Sequence, residues 1–118
     1  MRTDFGDHVR EVREGKRATD RRFSLRQVAA RVGIEPTYLS KLERGELAPP
    51  SEETTRKLAN ELGEDVDVLL ALAGKVSRDL QQIIRRRPKL FADLIRQMKD
   101  APDHAILKIV RQVREGDW

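Results

Sequence analysis

The run from Ser24 to Gly45 constrains this chain more than any other part of it. Ser24 can accept a hydrogen bond from the orphan amides of a first helical turn. Gln27, three residues on, completes a capping-box pattern. Leu25, Val28, Ala29 and Val32 then recur at helical spacing and share one face. Gly33 follows the last of them, where a left-handed helix terminus suits glycine. Pro36 fits the first turn of a second helix, where a missing amide costs nothing. Leu39 and Leu42 repeat the inward spacing, and Gly45 supplies another stop. The segment therefore predicts two short helices crossing steeply at small Ala29. Thr37, Tyr38, Ser40, Lys41 and Arg44 are left outside or at the edge. A helix held out in this way fits the DNA major groove, where base edges carry a distinguishable hydrogen-bonding code.

The rest of the chain reads as helix as well. A first helix is expected from after Thr3 or Asp4, with Phe5, Val9 and Val12 on one face, fading near Gly15. Lys16 to Phe23 reads as a polar, arginine-rich connection with Phe23 tucked back as an anchor. Pro49 and Pro50 close a loop after the motif. A fourth helix is expected from a Ser51 cap to Gly63, and a fifth from about Asp65 to Ala73, stopped by Gly74. Three amphipathic helices follow, with breaks at Pro88 and at Ala101-Pro102-Asp103. No strand pattern emerges. The expected fold is all-α: five helices over residues 1–74, then a three-helix C-terminal segment over residues 75–118.

The motif resembles the helix-turn-helix of the lambda-repressor/Cro-like family, also called the XRE family of bacterial regulators. The pieces that carry the resemblance are Ser24 to Ala30, Val32-Gly33-Ile34, and Tyr38-Leu39-Ser40-Lys41-Leu42-Glu43-Arg44-Gly45. Pro50-Ser51 with Thr54, Leu58, Ala59, Leu62 and Gly63 fits the family's fourth helix, and Asp67 with Leu69 and Leu70 its fifth. The similarity spans roughly residues 3–74. It implies a DNA-binding transcriptional regulator, and by family analogy a repressor. It assigns base reading to Pro36, Thr37, Tyr38 and Lys41. Arg44 suits a phosphate clamp, and Tyr38 and Ser40 carry hydroxyls equally suited to phosphate. Ser24 and Gln27, at the head of the preceding helix, complete the DNA-facing set. The family also pairs an arginine late in the first helix with a glutamate late in the third. That implies a structural, partly buried pair between Arg13 and Glu43.

Three positions depart from the family pattern. Glu35 sits where nearby phosphate makes an acid unwelcome; it either caps the helix or accepts from a cytosine amino group. Leu25 stands where the family often has an amide that meets phosphate. Glu46-Leu47-Ala48 replaces a segment that is usually basic. The expected consequence is a phosphate grip shifted to Arg21, Arg22 and Arg26.

The net charge of +4 mildly favours a polyanionic partner. Its distribution is more telling, because positive charge gathers around the motif and again in the C-terminal third, with Arg85-Arg86-Arg87 the densest run. With no cysteine and only His8 and His104, no thiolate or zinc site is expected, and no cofactor. No Gly-rich phosphate loop and no nucleophile–base pair points to an enzyme. No apolar run approaches membrane length, so the expectation is a cytoplasmic chain with no membrane partner.

The C-terminal helices are short, and short helices draw their stability from packing an apolar face. A bundle of some 40 residues alone buries too little surface. The expected solution is a homodimer built by Leu80, Ile83, Ile84, Leu90, Phe91, Leu94, Ile95, Met98, Ile106, Leu107, Val110 and Val113. An alternative is that these helices bind a regulatory protein, as in an antitoxin or a repressor relieved by a protease.

Overall fold

Helix α1 (Asp4–Arg17) buries Phe5 and Val9 and leaves Val12 half-buried. The computed structural model describes residues 4–116 of the chain, so Thr3 lies outside the described residues. The helix does not fade at Gly15. It continues for two more residues, because Gly15 faces open space and Lys16 and Arg17 suit the negative end of the helix dipole. The connection expected as loop then tightens into a 3₁₀ turn, Arg21–Phe23, capped by the Asp20 carboxylate. Phe23 packs against the core as a partly buried anchor.

Helices α2 (Leu25–Val32) and α3 (Pro36–Glu43) form the expected pair. Ser24 Oγ accepts from the Gln27 N–H at 3.3 Å. The reciprocal half of a capping box is replaced, since the Ser24 N–H is already taken by the Arg21 carbonyl at 3.1 Å. Gly33 sits at φ 85°, and its N–H and that of Ile34 close on the Ala29 carbonyl at 2.9 and 3.0 Å. Such a left-handed terminus strains any side chain with a Cβ. Pro36 occupies the first turn of α3. Glu35 stands at the cap position without a side-chain cap bond, so its carboxylate does not serve that role.

Helix α4 (Glu52–Leu62) starts from Ser51, whose Oγ accepts from the Thr54 N–H, and ends at Gly63. Helix α5 (Val66–Leu72) starts from Asp65, whose carboxylate accepts from the Asp67 and Val68 amides. Val28, Ala29, Leu39, Leu58, Ala59, Leu62 and Leu69 join Phe5 and Val9 in one core, with α1 against α3 and α5, and α2 against α3 and α4. His8 Nε2 meets Glu64, tying α1 to the α4–α5 corner. Lys75 Nζ donates to the Pro50 carbonyl at 2.8 Å.

The chain divides into two compact units, residues 1–77 and 78–118. The second contains α6 (Arg78–Arg86), α7 (Pro88–Gln97) and α8 (Asp103–Arg114). None of these three helices carries a buried residue. The fold is all-α, with eight α-helices among the described residues and no strand among them. No helix among the described residues is long and apolar enough to cross a membrane.

One close approach holds the first unit together. A Cβ added at Gly6 would lie 2.3 Å from the Leu42 carbonyl oxygen and 2.9 Å from that of Glu43. Both are backbone atoms, so α1 and α3 would have to separate. Gly6→Ala is therefore expected to destabilise the first unit by about 2–3 kcal/mol, the upper range for overpacking. Thermal unfolding followed by circular dichroism measures it; an unchanged midpoint contradicts the contact.

Candidate nucleic-acid interface

Helix α3 is seated by its buried side. Leu39 and Leu42 are enclosed, and the third inward residue is the acid Glu43, only 4% exposed. An isolated carboxylate is not tolerated there, because burial away from water costs several kcal/mol. Arg13 of α1, itself 2% exposed, answers it with a two-pronged contact. Its Nε donates to Glu43 Oε2 at 2.7 Å and its Nη2 to Oε1 at 2.9 Å. The remaining guanidinium hydrogens reach the Phe23 carbonyl at 3.2 Å and Glu14 Oε1 at 3.0 Å. One side chain thus joins α1, α3 and the 3₁₀ turn. The bonds to Glu43 hold the Arg13 guanidinium above its ordinary pKa, outweighing its burial. The pair that the family resemblance implied is present, structural and buried.

With Leu39, Leu42 and Glu43 inward, the opposite side of α3 is fixed. Thr37, Lys41 and Arg44 lie exposed along it at i, i+4 and i+7. Pro36, Tyr38 and Ser40 are half-buried at its borders. Arg44 is held by its neighbours, donating to Ser40 Oγ and to Glu46. On α2, Arg26 and Gln27 are exposed and Ser24 is partly so.

A cleft of about 270 Å³ opens where the end of α1, the start of α2 and the end of α3 converge. Arg10, Arg17, Leu25, Ser40 and Arg44 line it, with the Arg13–Glu43 pair and Glu14 behind. It therefore gathers Ser40 and Arg44 with two arginines that sequence reasoning missed. The signal was available: Arg10, Arg13 and Arg17 fall at i, i+3 and i+7, one stripe of α1. Once Arg13 is assigned to Glu43, its stripe neighbours must point towards the same end of α3. Arg17 also lies 3.7 Å from Glu14, an exposed pairing of little energetic consequence.

The 3₁₀-turn arginines are placed differently. Arg22 forks onto Asp20, with Nη2 at 2.8 Å from Oδ2 and Nε at 3.1 Å from Oδ1. That side-chain bond holds the Asp20 carboxyl below its ordinary pKa and the Arg22 guanidinium above its own. Arg22 lines a separate cleft of about 290 Å³ with Phe23, Arg31 and Glu61. There Arg31 Nε donates to Glu61 at 2.6 Å, and its Nη2 donates to the Arg22 carbonyl at 2.6 Å. The Phe23 ring has Lys16 Nζ and the Arg31 guanidinium each 5.4 Å from its centroid. Arg21 is exposed on the turn.

Comparison with known proteins places this geometry. The family described as "Helix-turn-helix domain" matches residues 4–72. A relative from Bacillus subtilis (strain 168), named "Uncharacterized HTH-type transcriptional regulator RghRB", is 32% identical over 79 residues. The alignment covers 67% of this chain and 53% of the relative, so the chain spans about half the length of that protein. No solved structure matches the chain.

The buried pair makes a sharp stability prediction. Arg13→Ala or Glu43→Ala strands the other charge and is expected to cost about 3–5 kcal/mol. The double replacement Arg13→Met with Glu43→Leu removes both charges and is expected to cost less than either single change. Urea unfolding of the three variants measures this; a double variant weaker than both singles contradicts it.

Proposed function

Because the chain belongs to the helix-turn-helix domain family, we propose that it is a sequence-specific, double-stranded DNA-binding transcriptional regulator of the XRE branch. On this reading it is a homodimeric repressor of a pseudo-palindromic operator. One observation carries the proposal: α3 presents Thr37, Lys41 and Arg44 outward while a buried ion pair prevents it from rotating. Thr37 can hydrogen-bond a base edge or meet a thymine methyl. Lys41 can reach guanine O6 and N7. Pro36, with no donor, can offer shape or a methyl contact, and Tyr38 borders the same face.

The arginine cleft beside α3 supports a phosphate-positioning role for Arg10 and Arg17 along with Arg44 and Ser40. Arg21, Arg22, Arg26, Ser24 and Gln27 extend the contact surface along the turn and α2. Arg22 contributes less, because Asp20 already neutralises it.

The C-terminal unit supplies the second subunit. Helices α6 to α8 leave Leu90, Ile95 and Val113 more than half exposed, a cost that pairing with another copy removes. Two-fold symmetry then sets two recognition helices about 34 Å apart, one DNA turn, or a multiple of it. Light scattering coupled to chromatography is expected to give a dimer; a monomer at micromolar concentration overturns that part.

Selection of bound sites from random duplex DNA, followed by footprinting, tests the whole reading. Enrichment of a two-fold-related site is the expected result, and failure to enrich any site overturns it. On the selected operator, Lys41→Ala is expected to lose about 1–3 kcal/mol of discrimination at one base-pair position per half-site. Arg10→Ala with Arg17→Ala is expected to weaken binding to all sequences and flatten the salt slope by about one unit per arginine and half-site. Arg21→Ala with Arg22→Ala is expected to flatten it by less. Fluorescence anisotropy over a salt series measures both, and the reverse order would put the phosphate grip on the 3₁₀ turn.

A further inference from the structure

Helices α7 and α8 enclose between them an open apolar trough of about 420 Å³. Leu94 of α7 and Met98 at its C-cap form one wall; Ile106, Ile109, Val110 and Val113 of α8 form the other, with Arg114 at the rim. Val110 and Val113 are 43% and 61% exposed, so α8 shows an apolar stripe that α7 covers only in part.

The charges beside that stripe have a pattern. Asp103 and Arg114 are the first and last residues of α8. They are eleven residues apart, about three turns, so both fall on the same flank of the stripe. Lys108 and Arg111 fall farther round, towards the polar back of the helix. An acid at one end and a base at the other, on one flank, form a self-complementary set. Turned end for end about a two-fold axis, the helix meets its own copy with each Asp103 beside the other copy's Arg114. In the same register Ile106 faces Val113 and Ile109 faces Val110, so the stripe closes on itself. Antiparallel helix dipoles favour the arrangement too. A parallel pairing would put that flank of the two copies on opposite sides of the seam, so neither ion pair could form.

We propose that α8 pairs antiparallel with α8 of a second copy across the α7–α8 trough, with two symmetric Asp103–Arg114 ion pairs fixing its direction. This rests on the homodimer reading and supplies its geometry.

The chain has no cysteine, so introduced thiols report the register directly. Under mild oxidation Val110→Cys, next to the two-fold axis, is expected to form a disulfide-linked dimer. Val113→Cys is expected not to, because its copies lie about 10 Å apart along the axis. A mixture of Ile106→Cys and Val113→Cys chains is expected to cross-link only between unlike chains. Charge reversal gives a second readout, the dimer dissociation constant from sedimentation equilibrium. Asp103→Arg and Arg114→Asp are each expected to weaken the dimer about tenfold, and the double reversal to recover most of the loss. If the wild type is a dimer but Val113→Cys links as readily as Val110→Cys, the antiparallel pairing is overturned while the dimer stands. Equal weakening in the double reversal and the singles, in a dimer whose helicity is unchanged, also overturns it. A wild type that is monomeric overturns the homodimer reading itself, and a foreign helix becomes the occupant to seek.

Discussion

The buried contact between Arg13 and Glu43 is the constraint on which the rest of the first unit depends. Apolar packing alone leaves a short helix free to roll by a fraction of a turn, because side-chain contacts are non-directional. A bidentate guanidinium–carboxylate contact is directional, and burial makes any departure from it expensive. Glu43 lies in the last turn of α3, so the pair fixes the rotation of that helix and with it the direction its exposed stripe faces. Gly6 makes the pair geometrically attainable by letting α1 approach the α3 carbonyls within the space of a side chain. The Phe23 carbonyl then extends the same anchor to the 3₁₀ turn.

Much of this was legible in the sequence because it is encoded locally. Ser24, Ser51 and Asp65 act on amides two or three residues away, and Gly33 and Gly63 take the left-handed terminus that their position after a periodic run demands. Leu39 and Leu42 follow from helical spacing alone. What was not legible depends on segments that meet only after folding. Gly6 carries no signal of a close contact in the sequence, because the carbonyls it meets belong to α3. Arg10 carries no local signal and Arg17 reads as part of the connection until α1 is seen to continue to Arg17 and Arg13 to point at Glu43. Ser24 and Gln27 have the spacing of a full capping box, yet the 3₁₀ turn satisfies the Ser24 amide first. Glu35 has the position of a cap without its hydrogen bond.

Counting basic residues along the segment also overstates the field it projects. Arg22 is matched by Asp20, Arg31 by Glu61 and Arg44 in part by Glu46, each within hydrogen-bonding reach. Such surface pairs add little stability, but they reduce the attraction each site offers to a polyanion. In the arginine-rich connection Arg22 helps order the turn through Asp20, while the cleft at α1, α2 and α3 brings Arg10, Arg17 and Arg44 to one place. A cleft focuses potential in a way that dispersed exposed cations do not.

The two units differ in what stabilises them, and that difference bears on how such a molecule would act. The first has an enclosed core, a directional buried pair and capped helices. The second has three amphipathic helices without a fully buried side chain, so its apolar faces are only partly covered within the described residues of that unit. Helices of this length are marginal without a packed face. If a second copy covers them, folding of the C-terminal unit and association become one step, and the concentration of the chain sets how much dimer exists. Each half-site contact is then made by a preformed, rigid surface, while linkage between half-sites depends on a unit that is assembled on demand. Joining two modest contacts in this way raises affinity through effective concentration rather than through any new contact with DNA. The same arrangement makes the C-terminal helices the point of control: anything that occupies or removes the α8 stripe would separate the half-sites without touching α3.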